Sequence, residues 1–322
     1  MAFFIIGTER SGSNLLRVIF DAHPDVVVPH PPHLLRYLAD LKETDHDAIV
    51  AATLSMVRGH IHPWEWMPSA DELRQRSAED PTVVGVFLAL YDLAAEREGV
   101  AHWGCKSTFV VEHVDAVLDR RPDARFIWLV RDVRDVAVSS KRSVFNPFDP
   151  LLTAELWARQ QRVAIDTASR LGPGRVLRLH YEDLLASPGL MVARLCDHVG
   201  LRMHDGMLRF HERNRARTTA GLSQSWENNN KPVLKNNSGK WREGLSAREL
   251  GQVEAVAGEV MEELGYVPEA PGPTPTERDF FEARARDLAM RVESELRSLR
   301  SDRIHWLRWR RRARVARMKW GL

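Results

Sequence analysis

Short apolar runs alternate with segments of helical periodicity along most of the chain. The runs at 3–6 and 126–130 have the length and composition of strands buried on both faces, as in a parallel sheet. Further strands are predicted at 103–106 and 175–180, and a short valine run spans 25–29. Helices are predicted at 13–22, 32–57, 82–98, 109–120, 132–143, 150–171, 188–199, 246–264 and 276–320. This alternation predicts an α/β fold with a parallel β-sheet flanked by helices and a long C-terminal helix.

The composition divides the chain into three parts. Residues 1–267 carry the alternation and are predicted to form the main domain, 268–275 form a Pro/Gly-rich linker, and 276–322 form a basic amphipathic helix. Within the main domain, 214–245 is rich in Asn, Ser, Lys and Gly and has no apolar period. We therefore predict a long functional loop there.

Charge is unevenly distributed. The 322 residues include 46 Lys/Arg and 44 Asp/Glu, a net charge of +2. From Arg303 onward there are eight Lys/Arg and no Asp/Glu, so the remainder has a net charge of −6. The chain has no run of about 18 apolar residues and no signal-peptide pattern. With only Cys105 and Cys196, no disulfide framework is indicated, and a reduced, cytoplasmic setting is expected.

The segment 7–14 has the outline of a phosphate-binding loop, with a strand, a turn bounded by two glycines five positions apart, and a helix. Backbone N–H groups of such a turn point toward an anion. A nucleotide-hydrolysing P-loop would have Lys and Ser/Thr where this chain has Ser13 and Asn14, in order to bind phosphates and Mg²⁺. The loop therefore keeps the anion cradle, lacks the metal ligand and adds Arg10.

The sequence Gly-Thr-Glu-Arg-Ser-Gly-Ser-Asn resembles the 5′-phosphosulfate loop of sulfotransferases that use 3′-phosphoadenylyl sulfate (PAPS), including bacterial members. In that loop Lys or Arg occupies the position of Arg10. The resemblance implies a P-loop-like sulfotransferase domain over 1–267, with PAPS as the sulfuryl donor. No metal is expected, because fixed cations and N–H groups can stabilise a singly charged sulfonate. The implied donor contacts in the loop are Thr8, Glu9, Arg10, Ser11, Gly12, Ser13 and Asn14.

A second anion site is indicated at 126–139. There Arg131 follows a strand and Ser139 comes eight positions later, which resembles the 3′-phosphate motif of the same family. A charge-assisted bond from Arg131 and a hydroxyl from Ser139 would bind that phosphate.

Two further segments resemble family motifs. Tyr181 begins a Tyr-Glu-Asp-Leu segment implied to lie near the adenine, and 237–242 resembles a late basic segment that closes over the 3′-phosphate through Lys240, Trp241 and Arg242.

In-line sulfuryl transfer needs a group that stabilises charge on the departing oxygen and a group that takes the acceptor's proton. Arg10 is expected in the first role. Lys106, at the end of a predicted strand, resembles a family lysine that contacts the sulfonate or the departing oxygen.

The base is harder to identify. Where some family members have His and others have Glu, this chain has Thr108 and Pro31. His33 and His30 flank the missing carboxylate, and imidazole has a suitable pKa for a base near pH 7. We expect His33 to be the base because it begins a helix that should face the cleft. His30 is the alternative, followed by His60 and His62.

The C-terminal segment places Trp and Ala at helical spacing, with most of its basic residues off that stripe: Trp306, Trp309, Ala313, Ala316 and Trp320. A basic helix with a Trp-bearing face is typical of an interfacial helix on anionic lipid, here the inner face of a membrane. The alternative is that the Trp face docks on a partner subunit or on the main domain. Nucleic acid is not expected, because no known binding fold is recognisable.

The leading hypothesis is an enzyme that moves the sulfuryl group of PAPS to a hydroxyl or amine of a small-molecule, lipid or carbohydrate acceptor. A P-loop kinase or nucleotidase is the alternative, and Ser13 and Asn14 argue against it. A non-catalytic nucleotide-binding scaffold is the third hypothesis. It would retain Arg131 and Ser139 but would not need Arg10.

Overall fold

A five-stranded parallel sheet runs through the centre of the main domain. The computed structural model describes residues 1–39, 45–60, 64–143, 147–213, 230–301 and 305–320. The strand order is β2-β3-β1-β4-β5, and every neighbouring pair is parallel. The strands are β1 (Ala2–Gly7), β2 (Val26–Val27), β3 (His102–Lys106), β4 (Arg125–Val130) and β5 (Val176–His180). The predicted parallel sheet is confirmed.

Helices cover both faces of the sheet. Those of the N-terminal half are α1 (Ser13–Asp21), α2 (Leu34–Leu38), α3 (His46–Arg58), α4 (Ala70–Arg76), α5 (Val83–Glu98), α6 (Val114–Leu118) and α7 (Val133–Ser140). The later helices are α8 (Pro150–Leu171), α9 (Tyr181–Ala186), α10 (Pro188–His198), α11 (Trp241–Gly244), α12 (Ala247–Glu263), α13 (Glu277–Ser301) and α14 (His305–Trp320). Short 3₁₀ helices occur at Thr108–His113, Asp205–Met207 and Phe210–Glu212. In the part of the chain described here, no helix combines the length and the apolar character needed to span a bilayer.

The central strand β1 is buried on both faces. Successive side chains of a strand point to opposite faces, so Phe4 and Ile6 join one core and Phe3 and Ile5 join the other. The first core contains residues of α5, α7, α8 and α12, and the second contains residues of α1, α9 and α10. This two-sided burial explains why β1 appears in the sequence as an uninterrupted apolar run.

The strand order makes β1 the switch point of the sheet. Its neighbours are β3 on one side and β4 on the other, with Ile5 paired to Lys106 and Gly7 paired to Leu129. Since the strands are parallel, the residues that end β1, β3, β4 and β5 meet at one edge. In open α/β sheets this edge, outside the carboxyl ends of the strands at a switch point, is where ligands bind.

Two helix predictions in the N-terminal half were wrong in detail. The predicted helix at 32–57 is two helices, α2 and α3, because the Asp45 side chain accepts a hydrogen bond from the Ala48 N–H and caps a new helix. The predicted helix at 109–120 is a 3₁₀ turn, Thr108–His113, followed by the short α6.

The C-terminal segment contains the predicted long helix, α13, but it is not one continuous helix. The Arg312 guanidinium lies 2.6 Å from the Glu295 carboxylate. In a straight helix those residues would be about 25 Å apart, since each residue adds about 1.5 Å. Helix α14 therefore folds back beside α13. Asp287 of α13 in turn accepts a hydrogen bond from the Phe148 N–H at the start of α8, which fixes α13 to the main domain.

The segment predicted as a linker, 268–275, packs along α12. The Ala270 N–H donates to Glu254 at 2.6 Å, and the Gly272 N–H donates to the Gly251 carbonyl at 3.0 Å. The division of the chain at this segment stays a prediction. Of the predicted loop at 214–245, residues 214–229 lie outside the described residues, and the remainder contains the short helix α11.

Candidate active site

The loop between β1 and α1 is shaped by two glycines with positive φ. A Cβ on Gly7, at φ 135°, would lie 2.3 Å from the Leu129 carbonyl oxygen. A Cβ on Gly12, at φ 95°, would lie 2.4 Å from the Tyr181 ring. Only glycine fits at either position. The second contact joins the predicted 5′-phosphosulfate loop to the segment predicted to lie near the adenine.

Inside the loop, two hydroxyl groups have different surroundings. Thr8 accepts a hydrogen bond from Gln161 at 3.0 Å, and Gln161 in turn accepts one from the Trp128 indole at 2.7 Å. Ser11 is fully buried, and its hydroxyl has no hydrogen-bond partner among the described residues. A buried hydroxyl without a partner is costly, so Ser11 is suited to bind an anion held in the loop.

The two predicted anion motifs contact each other directly. The Arg10 Nε donates to the Ser139 hydroxyl at 3.0 Å, across 129 positions of the chain. The Arg131 guanidinium donates to the Arg10 carbonyl oxygen at 3.1 Å. Arg10 has φ 71°, a left-handed backbone conformation that is uncommon outside glycine. The structure thus brings Arg10, Arg131 and Ser139 together.

Tyr181 and Asn237 complete this side of the site. The Arg131 guanidinium lies 4.5 Å from the centre of the Tyr181 ring. It also donates to the Asn237 carbonyl at 2.8 Å, while the Asn237 side-chain amide donates to the Tyr181 hydroxyl at 2.7 Å. Lys240 is linked to these residues through Asn237, because its ammonium group donates to the Asn237 side-chain oxygen at 2.7 Å.

The late basic segment is anchored by a buried carboxylate. Asp135 accepts hydrogen bonds from the Gly239 N–H at 2.7 Å and from the Trp241 N–H at 3.1 Å. The Trp241 ring is buried, and Arg242 stacks on it while pairing with Glu269 at 2.6 Å. The contacts of Trp241 and Arg242 are therefore structural, and their predicted contact with the donor is not tested by them.

Lys106, at the end of β3, and Glu9, in the loop after β1, influence each other electrostatically, and the Glu9 carboxylate also lies 3.8 Å from the Arg36 guanidinium. Burial lowers the pKa of Lys106 to about 8, with Glu9 acting in the opposite direction and Arg17 and Arg10 adding to the decrease. Burial raises the pKa of Glu9, whereas Lys106, Arg36 and Arg10 lower it. Several cations thus surround one carboxylate, and such an excess of positive charge favours an anionic ligand.

His33 lies at the start of α2, next to the residue that follows Lys106. Its Nδ1 is 3.1 Å from the hydroxyl of Ser107, the residue that follows Lys106. The His33 backbone has φ 54° and ψ 43°. A left-handed conformation costs a non-glycine residue about 1–2 kcal/mol and persists only where its surroundings hold it. Burial and then Lys106 lower the pKa of His33 well below 6.5, so its imidazole is neutral at pH 7.

His30, the alternative base, lies deeper. It is buried, its carbonyl accepts a hydrogen bond from the Trp64 indole at 2.7 Å, and its ring lies 6.0 Å from the ring of His60. These contacts place His30 beside the wall formed by Trp64 and His60. His62 lies outside the described residues.

The sequence reasoning missed three residues of this site: Ser107, Asn237 and Arg311. Ser107 could have been found, because it follows Lys106 directly. Asn237 lies in the late basic segment 237–242, where the sequence favours the neighbouring cations as phosphate ligands. Arg311 gave no local signal at all, since its guanidinium donates to the carbonyl of Pro32, 279 positions away.

Comparison with known proteins places this geometry in a family. The sequence profile of the sulfotransferase family matches residues 2–205. Protein-tyrosine sulfotransferase A of Caenorhabditis elegans is 21% identical over 284 residues, which cover 84% of this chain and 68% of that protein. Protein-tyrosine sulfotransferase 1 of Danio rerio is 24% identical over 283 residues, which cover 84% and 73%.

Solved structures show the same fold. The sulfotransferase domain of the curacin biosynthetic pathway has a TM-score of 0.56 at 18% identity, covering 84% of this chain and 98% of that domain. The sulfotransferase domain of the Synechococcus PCC 7002 olefin synthase has a TM-score of 0.53 at 20% identity, covering 80% and 94%. The matched family profile spans well over half of the chain, including both anion motifs. The chain belongs to the sulfotransferase family, and the prediction that it is a sulfotransferase enzyme is confirmed.

Proposed function

We propose that this enzyme takes the sulfuryl group of PAPS and transfers it, in line and without a metal, to a hydroxyl or amine of a small-molecule, lipid or carbohydrate acceptor. The observation that carries the proposal is the contact of Arg10 with both Ser139 and Arg131. It unites a 5′-type and a 3′-type anion site in one cleft. A nucleotide with anionic groups at both ends fits this arrangement.

The residues present fit PAPS in further respects. The Ser11 hydroxyl and the Arg131 Nε are buried without a hydrogen-bond partner among the described residues. Gly12 has no side chain that could cap the first N–H groups of α1. These N–H groups, the hydroxyl and the guanidinium are the donors that phosphate and sulfonate oxygens require.

When bound, PAPS supplies an activated sulfuryl group. Arg10 and Lys106 would stabilise the negative charge that develops on the departing phosphate oxygen as its bond to sulfur breaks. Both are cationic below pH 8, since the pKa of Lys106 is about 8. Arg131, Ser139 and Tyr181 would orient the nucleotide, so that the sulfur faces the acceptor rather than water.

His33 is the proposed base. If its Nδ1–H donates to Ser107, its Nε2 carries the lone pair that takes the acceptor's proton as the new oxygen–sulfur or nitrogen–sulfur bond forms. Its low pKa keeps the imidazole neutral, which is the form a base needs. The curated relatives described above are named for tyrosine acceptors, so a tyrosine peptide belongs in the acceptor panel beside sugars, lipids and phenols.

Calorimetry with PAP, the desulfated product, tests the donor. Wild-type protein is expected to bind PAP without Mg²⁺ and to prefer it to ATP–Mg²⁺. Arg131→Ala should weaken PAP binding by about 10- to 150-fold, because a charged hydrogen-bonding group contributes about 1.5–3 kcal/mol. Arg125→Ala is the matched control. Arg125 begins the same strand, β4, at its opposite end and donates to the His198 carbonyl at 2.9 Å. Preference for ATP–Mg²⁺, or equal losses in both variants, would contradict the proposal.

We also propose that α14 contacts an anionic membrane surface, in agreement with the expected cytoplasmic, peripheral location. The exposure of two Trp side chains supports this proposal. Trp306 and Trp309 are 61% and 57% exposed, whereas Arg311 is buried and Val315 packs against the core. Exposed Trp residues on a helix with no acidic residues have the composition of an interfacial helix.

Vesicle sedimentation tests this surface. Full-length protein should pellet with phosphatidylglycerol-containing vesicles and not with pure phosphatidylcholine, and a Trp306→Ser/Trp309→Ser variant should lose binding. Leu190→Ser/Val267→Ser is the control, because both residues are exposed and lie outside the tail. A dimer that the Trp variant converts to a monomer, without vesicle binding by the wild type, would show that the surface binds a second copy instead.

A further inference from the structure

One side chain of the basic tail is inserted into the main domain. Arg311 of α14 has 9% of its surface exposed, although α14 as a whole is strongly basic. Its Nη2 donates to the carbonyl oxygen of Pro32 at 2.5 Å, and its guanidinium lies 5.1 Å from the centre of the Tyr37 ring. Burying an arginine costs free energy unless it is hydrogen-bonded, so this contact must hold the two segments together.

The segment that Arg311 contacts carries the candidate base. Pro32 directly precedes His33, and Tyr37 lies one turn further on in α2. His33 adopts a left-handed backbone conformation, which its surroundings must impose. One of those restraints is the bond from Arg311 to the preceding carbonyl. Another is the contact between the His33 ring and Ser107.

We propose that Arg311 is a positioning residue for the acceptor side of the active site, and that it holds the turn at Pro32 and His33 so that the imidazole faces Ser107 and Lys106. The inference rests on the proposed role of His33 as the base. It also gives α14 two functional faces. Arg311 and Val315 hold the active-site turn, and Trp306 and Trp309 face outward.

The charged groups around His33 allow this role to be measured. Lys106 from β3, Arg311 from α14, His60 after α3 and Arg36 from α2 all lower the pKa of His33, in that order after burial. Removing the Arg311 charge and releasing the turn should both raise the pKa of His33 toward 6.5. If Arg311 only docked the tail, its charge alone would affect this pKa, and Arg311→Lys, which keeps the charge, would leave the pKa of His33 at the wild-type value.

The experiment is an NMR pH titration of selectively labelled histidine in the full-length protein, with the His33 signal assigned by its loss in His33→Gln. In Arg311→Met the pKa of His33 should rise, while PAP affinity measured by calorimetry should stay within about twofold, because Arg311 contacts the Pro32 turn and Tyr37 rather than the anion motifs. Arg312→Met is the matched control. It removes the same charge one position away, from a side chain that pairs with Glu295 at the surface.

Arg311→Lys provides a second variant in case Arg311→Met does not fold. It keeps the charge but loses the planar guanidinium, so the pKa of His33 should lie between those of wild type and Arg311→Met. Equal His33 pKa values in the Arg311 and Arg312 variants would overturn the inference, and so would an ordinary His33 pKa in the wild type. Loss of PAP binding in Arg311→Met alone would also overturn it. Failure of the wild type to bind PAP would instead refute the proposed donor, and the histidine titration would remain readable.

Discussion

The two halves of the proposed active site, a nucleotide side and an acceptor side, are built in different ways. On the nucleotide side, Arg10, Arg131, Ser139 and Tyr181 contact one another within a network of side-chain and backbone hydrogen bonds. On the acceptor side, His33 and Lys106 are brought near each other by Ser107, and the turn that carries His33 is held by the distant Arg311. The nucleotide side uses loops that follow directly from strands. The acceptor side depends on segments from three separate regions of the chain.

This difference has a physical cause. A nucleotide is bound through charged groups at fixed positions, so short loops at the carboxyl ends of parallel strands suffice. An acceptor differs from one enzyme to the next and is enclosed by whichever segments cover the sheet edge. Substitutions on the acceptor side are therefore expected to leave PAP affinity nearly unchanged. The following variants test whether the two sides act separately.

The largest effect is expected for His33→Gln. General base catalysis contributes about 10²–10⁴-fold, so turnover of PAPS with an acceptor should fall by that factor. PAP affinity should stay within about twofold of the wild type. His30→Gln is the control and the competing hypothesis, because His30 is the other candidate base. A larger loss of turnover in His30→Gln than in His33→Gln would identify His30 as the base. Loss of PAP affinity in His33→Gln would show that the two sides do not act separately.

Arg10→Ala should reduce turnover by about 10²–10³-fold, the usual consequence of removing one group that stabilises transition-state charge. PAP binding should weaken by less than about tenfold, because Arg131 and the loop N–H groups remain. Ser139→Ala, which removes the hydroxyl partner of Arg10, should instead weaken PAP binding more than turnover. Calorimetry measures PAP binding, and the rate at which PAP is released during the reaction measures turnover, so the two effects can be separated. Unchanged turnover in Arg10→Ala would remove this residue from the mechanism.

The pH dependence tests Lys106. Its pKa is lowered to about 8, so it is cationic below pH 8 and neutral above. If the cation stabilises the departing oxygen, turnover should fall roughly tenfold per pH unit above 8. In Lys106→Arg this alkaline decrease should disappear between pH 8 and 10, because arginine stays protonated. Lys141→Arg should leave the decrease in place. A wild-type turnover rate that stays constant up to pH 10 would contradict the role of the Lys106 cation in stabilising the departing oxygen.

The smallest effect is expected for Gly12→Ala, which tests the packing of the loop on Tyr181. The new Cβ would lie 2.4 Å from the ring, whereas a Cβ on Gly99, also at positive φ, meets nothing within 4 Å. Overpacking should therefore make Gly12→Ala about 1–3 kcal/mol less stable than Gly99→Ala in urea unfolding. Since both variants share the cost of a left-handed alanine, the difference isolates the clash. Equal stabilities would show that Tyr181 moves aside.

Much of the fold could be predicted locally. Helix α8 begins and ends at the predicted residues, and β4 and β5 begin within one residue of prediction and end at the predicted residue. The helix at 32–57 could not be delimited by periodicity, because the boundary depends on the Asp45 cap. The tail was equally ambiguous, since a continuous helical period cannot show that α14 folds back beside α13.

In the site, as in the fold, locally encoded features could be predicted and long-range contacts could not. Arg10, Arg131 and Ser139 could be selected as candidates because each lies in a motif whose spacing is fixed by a strand end and the helix after it, and the structure shows that they contact one another. The contacts of Trp241 with Asp135 and of Arg242 with Glu269 could not be predicted, because these partners are distant in the sequence. The predicted contact of Trp241 and Arg242 with the donor stays a prediction.

Short-range sequence patterns suffice to predict the parallel sheet, which the structure confirms, and to indicate a 5′-type and a 3′-type anion motif, whose ligands stay a prediction. These depend on short-range patterns, since a buried strand and the turn after it are encoded within about ten residues. The tertiary structure was needed to show which loop residues pair with Arg131, how the turn at His33 is held, and that the tail inserts Arg311 while Trp306 and Trp309 stay exposed. Those outcomes depend on contacts between residues far apart in the sequence, and in such contacts burial and hydrogen bonding outweigh local periodicity.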